Sequence, residues 1–88
     1  MKKLELYFFP ECPYCQIVEE ALKQTGLNKK IIYYNIREND QYRQTLLKAT
    51  GRGTVPCLFI DGKPMHESRD IANWLHKYSQ ELSHQGDK

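Results

Sequence analysis

Hydrophobic positions along this chain fall first in a strand-like run, then at helical spacing, and the alternation repeats. Residues Leu4 to Phe9 are aliphatic or aromatic apart from Glu5 and read as a first strand. Pro13 suits the first position of a helix, where a missing amide costs nothing. Ile17, Val18, Ala21 and Leu22 follow at i, i+1, i+4 and i+5 and predict one apolar helical face. Gly26 is a left-handed helix stop. Ile31 to Ile36 is rich in β-branched and aromatic residues and predicts a second strand covered on both faces. Asn39 or Asp40 can cap a second helix, with Tyr42, Leu46 and Ala49 on one face and Gly51 closing it. Cys57 to Ile60 reads as a third strand, and Asp61-Gly62 as a two-residue hairpin turn. Lys63 to His66 would return as a short fourth strand, marked as an edge by Pro64. Ser68 can cap a last helix whose apolar residues Ile71, Trp74, Leu75, Tyr78 and Leu82 recur at i, i+3, i+4, i+7 and i+11.

The predicted order is β-α-β-α-β-β-α. Its first half is a crossover between parallel strands and its second half an antiparallel hairpin. The expected α/β fold is therefore one four-stranded mixed sheet with three helices spread over both faces. A single domain is expected over residues 1–82, with residues 83–88 as a polar, frayed tail.

Composition narrows the class. The chain has 88 residues, 40% hydrophobic and 27% charged, which is ordinary for a globular domain. Thirteen basic against eleven acidic residues leave a net charge of +2, too balanced for a nucleic-acid binder. Glu5 and Pro10 cut the first apolar stretch well short of a signal core, and Ile31–Tyr34 is too short to span a bilayer. No membrane partner is expected. Three cysteines are too few, and odd in number, for a secreted disulfide scaffold. A reducing, cytoplasmic setting follows as the expectation, with thiols kept free for chemistry.

The chemistry concentrates at Cys12-Pro13-Tyr14-Cys15, where the first strand ends and the first helix begins. A thiol at a helix N-cap faces unpaired amides and the positive end of the helix dipole, and both favour a thiolate. Cys15, three residues on, lies on the same face one turn deeper and should keep its proton. These environments assign attack to Cys12 and resolution of the mixed disulfide to Cys15. Pro13 stiffens the loop, and Tyr14 is expected to cap it from solvent. The alternative is half of a zinc site, but a second CxxC pair is absent from the chain.

Cys12-Pro13-Tyr14-Cys15, then Thr54-Val55-Pro56, then the Asp61-Gly62 hairpin, resemble the glutaredoxins over about Lys3 to Tyr78. The resemblance implies a thioredoxin fold, a redox-active Cys12–Cys15 disulfide, and glutathione-dependent reduction of protein disulfides and protein–glutathione mixed disulfides. It implies a cis bond before Pro56, with the Val55 backbone turned toward Cys12 to pair with a peptide-like substrate. Glutathione would serve as co-substrate, and no metal is expected. The expected partners are disulfide-bonded or glutathionylated proteins, and the expected state is a monomer.

Two departures qualify it. Where glutaredoxins usually carry a lysine before the first cysteine, this chain has Phe9, and acidic Glu11 adjoins Cys12 and opposes a thiolate. Where they usually show two glycines after the hairpin, this chain reads Met65-His66-Glu67-Ser68-Arg69-Asp70. Glu67-Ser68 resembles the glutamate–serine pair of the glutathione transferase N-terminal domain, which shares the fold. That likeness implies that Glu67 takes the γ-glutamyl amine and Ser68 its carboxylate at a helix N-terminus. A plain N-cap role for Ser68 is compatible with this. Tyr14, Arg52, Thr54, Val55 and Pro56 complete the expected glutathione contacts, with Arg52 for the glycyl carboxylate. Cys57 reads as a small core residue. Two rivals stand beside glutathione-driven reduction. One is a redoxin fed by a thioredoxin reductase. The other is an iron–sulfur carrier ligated by Cys12 and glutathione.

Overall fold

The computed structural model describes residues 1–86, with side chains through Ser83. The elements run β1 (Leu4–Phe8), α1 (Pro13–Thr25), a 3-10 turn (Leu27–Lys29), β2 (Ile32–Asn35), α2 (Asp40–Thr50), β3 (Cys57–Ile60), β4 (Lys63–Met65) and α3 (Ser68–Gly86). This is the predicted β-α-β-α-β-β-α order. The strands form one mixed sheet in the order β2-β1-β3-β4. β1 pairs parallel with β2, Leu6 opposite Tyr33, and antiparallel with β3, Leu6 opposite Leu58.

The period of two in the strands sorts side chains between two cores. Leu4, Leu6 and Phe8 face α1 and α3, joining Cys15, Val18 and Leu22 of α1 with Ile71, Leu75 and Tyr78 of α3. Tyr7, Cys57 and Phe59 face α2 and meet its one fully buried residue, Leu46. Tyr7, Tyr34 and Tyr42 extend this second core as a chain of rings 4.8 and 5.0 Å apart.

The local stops are where the chain chemistry put them. Gly26 and Gly51 end α1 and α2 with φ of 74° and 73°. Asn39 caps α2 by accepting from the Gln41 amide at 2.9 Å. Asp61 and Gly62, with φ of 49° and 85°, make the tight β3–β4 turn, which requires positive φ at both positions. Asp61 also accepts from the Lys3 amide at 2.8 Å and so ties the hairpin to β1.

Four expectations are corrected. β2 is an edge strand rather than one covered on both faces, and Ile32 and Tyr33 stay 45% and 38% exposed. Its run is covered only in part, Ile31 packing on the α1–α3 core and Tyr34 and Ile36 on the α2 core. On α1 the buried face is Cys15, Val18, Ala21 and Leu22, while Ile17 points outward; the 3.6-residue period carries Cys15, not Ile17, onto the core side. On α2, Ala49 is exposed. The last helix continues to Gly86, through residues 83–86 expected as a frayed tail, and residues 87 and 88 of that tail lie outside the described residues. Among the described residues no helix is long and apolar enough to cross a membrane.

Candidate functional site

The site begins with the turn that leaves β1. The Cys12 amide donates to the Phe9 carbonyl at 3.2 Å, so Phe9 to Cys12 form a closed turn. Cys12 then serves as the N-cap of α1, with extended φ and ψ of −74° and 119° and Pro13 entering the helix behind it. Its Sγ accepts the Cys15 amide at 3.3 Å, the bond that an N-cap oxygen usually makes. The helix therefore aims an otherwise orphaned donor at this sulfur. Cys12 is 6% exposed and Cys15 is fully buried. Burial pushes the Cys15 thiol up to about 12; the Phe9 backbone bond opposes this, and the hydrogen bond with the Cys12 side chain adds to it. Cys15 thus holds its proton at neutral pH, beside its partner. All three cysteines are free thiols. Tyr14, expected to cap the loop from solvent, is itself 65% exposed.

The loop from α2 to β3 approaches from the neighbouring strand. Its Val55–Pro56 peptide bond is cis, as the resemblance implied. Pro56 is buried, and Val55 packs against both cores. The third part comes from the β4–α3 junction. Glu67 has a φ of 67°, unusual for a residue with a Cβ, and its carbonyl accepts the Ile71 amide at 3.0 Å. That places Glu67, not Ser68, at the cap position of α3, and Ser68 becomes its first helical residue. The expected Ser68 cap is corrected accordingly: the left-handed turn at Glu67 is what swings the chain from β4 into the helix.

These three segments enclose a cleft of about 460 Å³. Tyr14, Arg52, Thr54, Val55 and Pro56 line it together with Glu67 and Ser68. Cys12 is not among the residues that line this cleft, whereas Tyr14, two positions on in the same helix turn, is. His66, Arg69 and Asp70 also line it and were not among the predicted contacts. Their signal in the sequence was only adjacency to Glu67-Ser68. The first turn of α3 therefore fronts the cleft, and its amides have no intrahelical acceptor. Two basic residues, Arg52 and Arg69, and two acidic ones, Glu67 and Asp70, line it.

Burial and the nearby Arg52 charge lower the His66 pKa against the pull of Glu67, which leaves His66 neutral at pH 7. Its Nδ1 is buried without a hydrogen-bond partner. Arg43 of α2 reaches the same loop; a Cβ added at Gly53 would lie 3.8 Å from its guanidinium. Cys57 sits apart in the α2-side core, fully buried, its thiol pushed up to about 11 by burial against the opposing effects of Arg52 and the Met65 backbone.

Comparison with known proteins fits this geometry. The model of the glutathione S-transferase N-terminal domain matches residues 6–81. Glutathione S-transferase D7 of Drosophila melanogaster is 35% identical over 85% of this chain, which spans only 34% of that relative's length. Glutaredoxin 3 of Escherichia coli (strain K12) is 33% identical over 81% of this chain and 83% of its own length. The crystal structure of oxidized glutaredoxin 2 from Chlamydomonas reinhardtii superposes with a TM-score of 0.70 at 28% identity, covering 97% of this chain and 81% of that one. With the CPYC cap, the cis-proline loop and this coverage together, the chain belongs to the glutaredoxin family of thioredoxin-fold oxidoreductases and carries the features of a glutathione S-transferase N-terminal domain.

Proposed function

We propose that this protein is a dithiol glutaredoxin that reduces protein disulfides and protein–glutathione mixed disulfides. The observation that carries the reading is the Cys12 sulfur at the α1 N-cap, which accepts the Cys15 amide at 3.3 Å in the helix turn whose Tyr14 lines the cleft. The Cys12 thiolate attacks the glutathionyl sulfur of a mixed disulfide. A Cys12–glutathione bond forms, and the protein thiolate leaves and takes up a proton. Either a second glutathione thiolate attacks that bond, releasing glutathione disulfide, or Cys15 gives up its proton and attacks, releasing glutathione and leaving a Cys12–Cys15 disulfide. In each branch one disulfide is exchanged for another, and two electrons come from thiols.

The cleft suits a zwitterionic tripeptide with two carboxylates and one ammonium. Glu67 offers a charge for the γ-glutamyl ammonium, and Ser68 with the α3 amides a seat for its carboxylate. The Val55 backbone would pair with the central residue as an added strand, flanked by Thr54 and Pro56. Arg52 would take the glycyl carboxylate, and Tyr14 would close the cysteinyl side. A monomer acting on cytoplasmic protein substrates completes the reading.

Three variants test it. Cys12→Ser should abolish reduction of a glutathionylated peptide, and any retained turnover sinks the proposal. Cys15→Ser should keep that activity while losing reduction of protein disulfides that need the dithiol. Glu67→Ala should weaken glutathione binding by about 10-fold or more, as expected for loss of one charge-assisted bond. Phe9 in place of a lysine and the absence of two glycines after the hairpin keep one rival open, a redoxin fed by thioredoxin reductase. Turnover with glutathione and its reductase, set against turnover with thioredoxin reductase, decides between them.

A further inference from the structure

Glu11 places a carboxylate directly before Cys12, and the sequence offers no lysine nearby to offset it. The fold brings in a cation from another element. β1 and β2 run parallel, and their pairing continues past the strand ends, with the Ile36 amide donating to the Phe8 carbonyl at 2.9 Å. Asn35 then turns the chain: its side chain accepts the Arg37 amide at 2.9 Å and its carbonyl accepts the Glu38 amide at 3.1 Å. This turn sets Arg37 over the loop that precedes Cys12. The guanidinium lies 3.9 Å from the centroid of the Phe9 ring, and Nη1 is 3.5 Å from Glu11 Oε1. Arg37 thus grips the first and third residues of the Phe9–Cys12 turn, whose fourth residue is Cys12 itself.

We infer that Arg37 is a positioning residue for Cys12: it cancels the Glu11 charge and holds the turn, so that the approach to the thiol is electrically neutral and open to anionic disulfide substrates. The inference rests on Cys12 being the attacking thiol. Two adjacent opposite charges leave little field at the sulfur, whereas Glu11 alone would repel both a thiolate and an incoming carboxylate. The ring contact adds a second hold that does not depend on Glu11. Both charged side chains are more than half exposed, so the effect is modest and salt-dependent.

The test uses two alkylating probes of one reactivity class, anionic iodoacetate and neutral iodoacetamide, on the fully reduced protein. The ratio of their rates at Cys12, read by mass spectrometry, reports the local potential and needs neither glutathione nor a disulfide substrate. It therefore stands even if the glutaredoxin reading fails. Arg37→Gln should lower the ratio about two- to five-fold at low salt, and Glu11→Gln should raise it by a similar factor. The Glu11→Gln/Arg37→Gln double variant should return to within about two-fold of the unmodified protein. Arg37→Lys should keep most of the ratio. In about 1 M salt, where the screening length is about 3 Å, all variants should converge. An unchanged ratio in Arg37→Gln overturns the inference, as does a shift of both single variants in the same direction, which would mark a purely structural contact.

Discussion

At the scale of single residues, three cysteines of one chemistry take three different states. Cys12 sits at a helix cap with its sulfur accepting an amide, Cys15 is one turn deeper with its thiol pushed up to about 12, and Cys57 is sealed in the other core at about 11. Iodoacetamide at pH 7.5 should therefore modify Cys12 alone, and Cys15 and Cys57 only after denaturation. Modification of Cys57 in the native protein would contradict its full burial. Glu67 is a second case in which position sets cost. A left-handed backbone costs a side-chain-bearing residue about 1–2 kcal/mol, part of which glycine regains. Glu67→Gly should raise stability by up to about 1 kcal/mol while weakening glutathione binding. Glu67→Ala should weaken binding with no such gain. Denaturant midpoints and glutathione titrations of the two variants separate strain from ligand contact. The CPYC cysteines were legible from the motif and its strand-to-helix setting. The left-handed φ of Glu67 was not, because the residue itself does not favour that conformation.

At the scale of elements, the N-cap of α1 joins stability to chemistry. Serine is a favoured cap, so Cys12→Ser should lose activity and keep its unfolding midpoint, whereas Cys12→Ala should lose about 0.5–1 kcal/mol as well. α2 carries one fully buried side chain, Leu46, among Tyr7, Cys57 and Phe59. Leu46→Ala should cost about 2–5 kcal/mol. It should also loosen the Arg52–Pro56 loop that α2 leads into, which hydrogen exchange at residues 52–56 would register. Helix ends were read well, since Gly26, Asn39 and Gly51 act through their own backbones and side chains. Helix faces and strand exposure were read less well. Cys15 and Ile17 flank the Val18–Leu22 stripe of α1 from opposite sides, and only packing against the sheet and α3 shows which of them is buried. The apolar residues of β2 suited a central strand, yet its place at the sheet edge leaves Ile32 and Tyr33 half-exposed.

At the scale of the whole molecule, two buried thiols and one hydrogen-bonded phenol make stability fall on the alkaline side. Cys15 and Cys57 rise from an ordinary 9.0 to about 12 and about 11, and Tyr34, bonded to Glu5 at 2.9 Å, rises from 10.0 to about 12. Above pH 9 the unfolded chain releases these protons first. The folded state then binds more protons than the unfolded one, and stability falls as pH rises. The contribution is whole below pH 9 and is lost progressively toward pH 12, so the thermal midpoint should decline across that window. A midpoint that rose above pH 9 would contradict these assignments. By itself, the sequence determined the order of elements, the caps and stops of α1 and α2, the β3–β4 turn, and the thiol pair at the first strand–helix junction. Each of these depends on neighbours a few residues away, through periodicity, backbone preference or a capping bond. Tertiary structure alone decided the strand order β2-β1-β3-β4, the cleft shared by Tyr14, residues 52–56 and residues 66–70, and the seating of Arg37 on Phe9 and Glu11. Those features join residues tens of positions apart, and such distances close only when the crossover of α1 and the docking of α2 and α3 bury the two faces of one sheet.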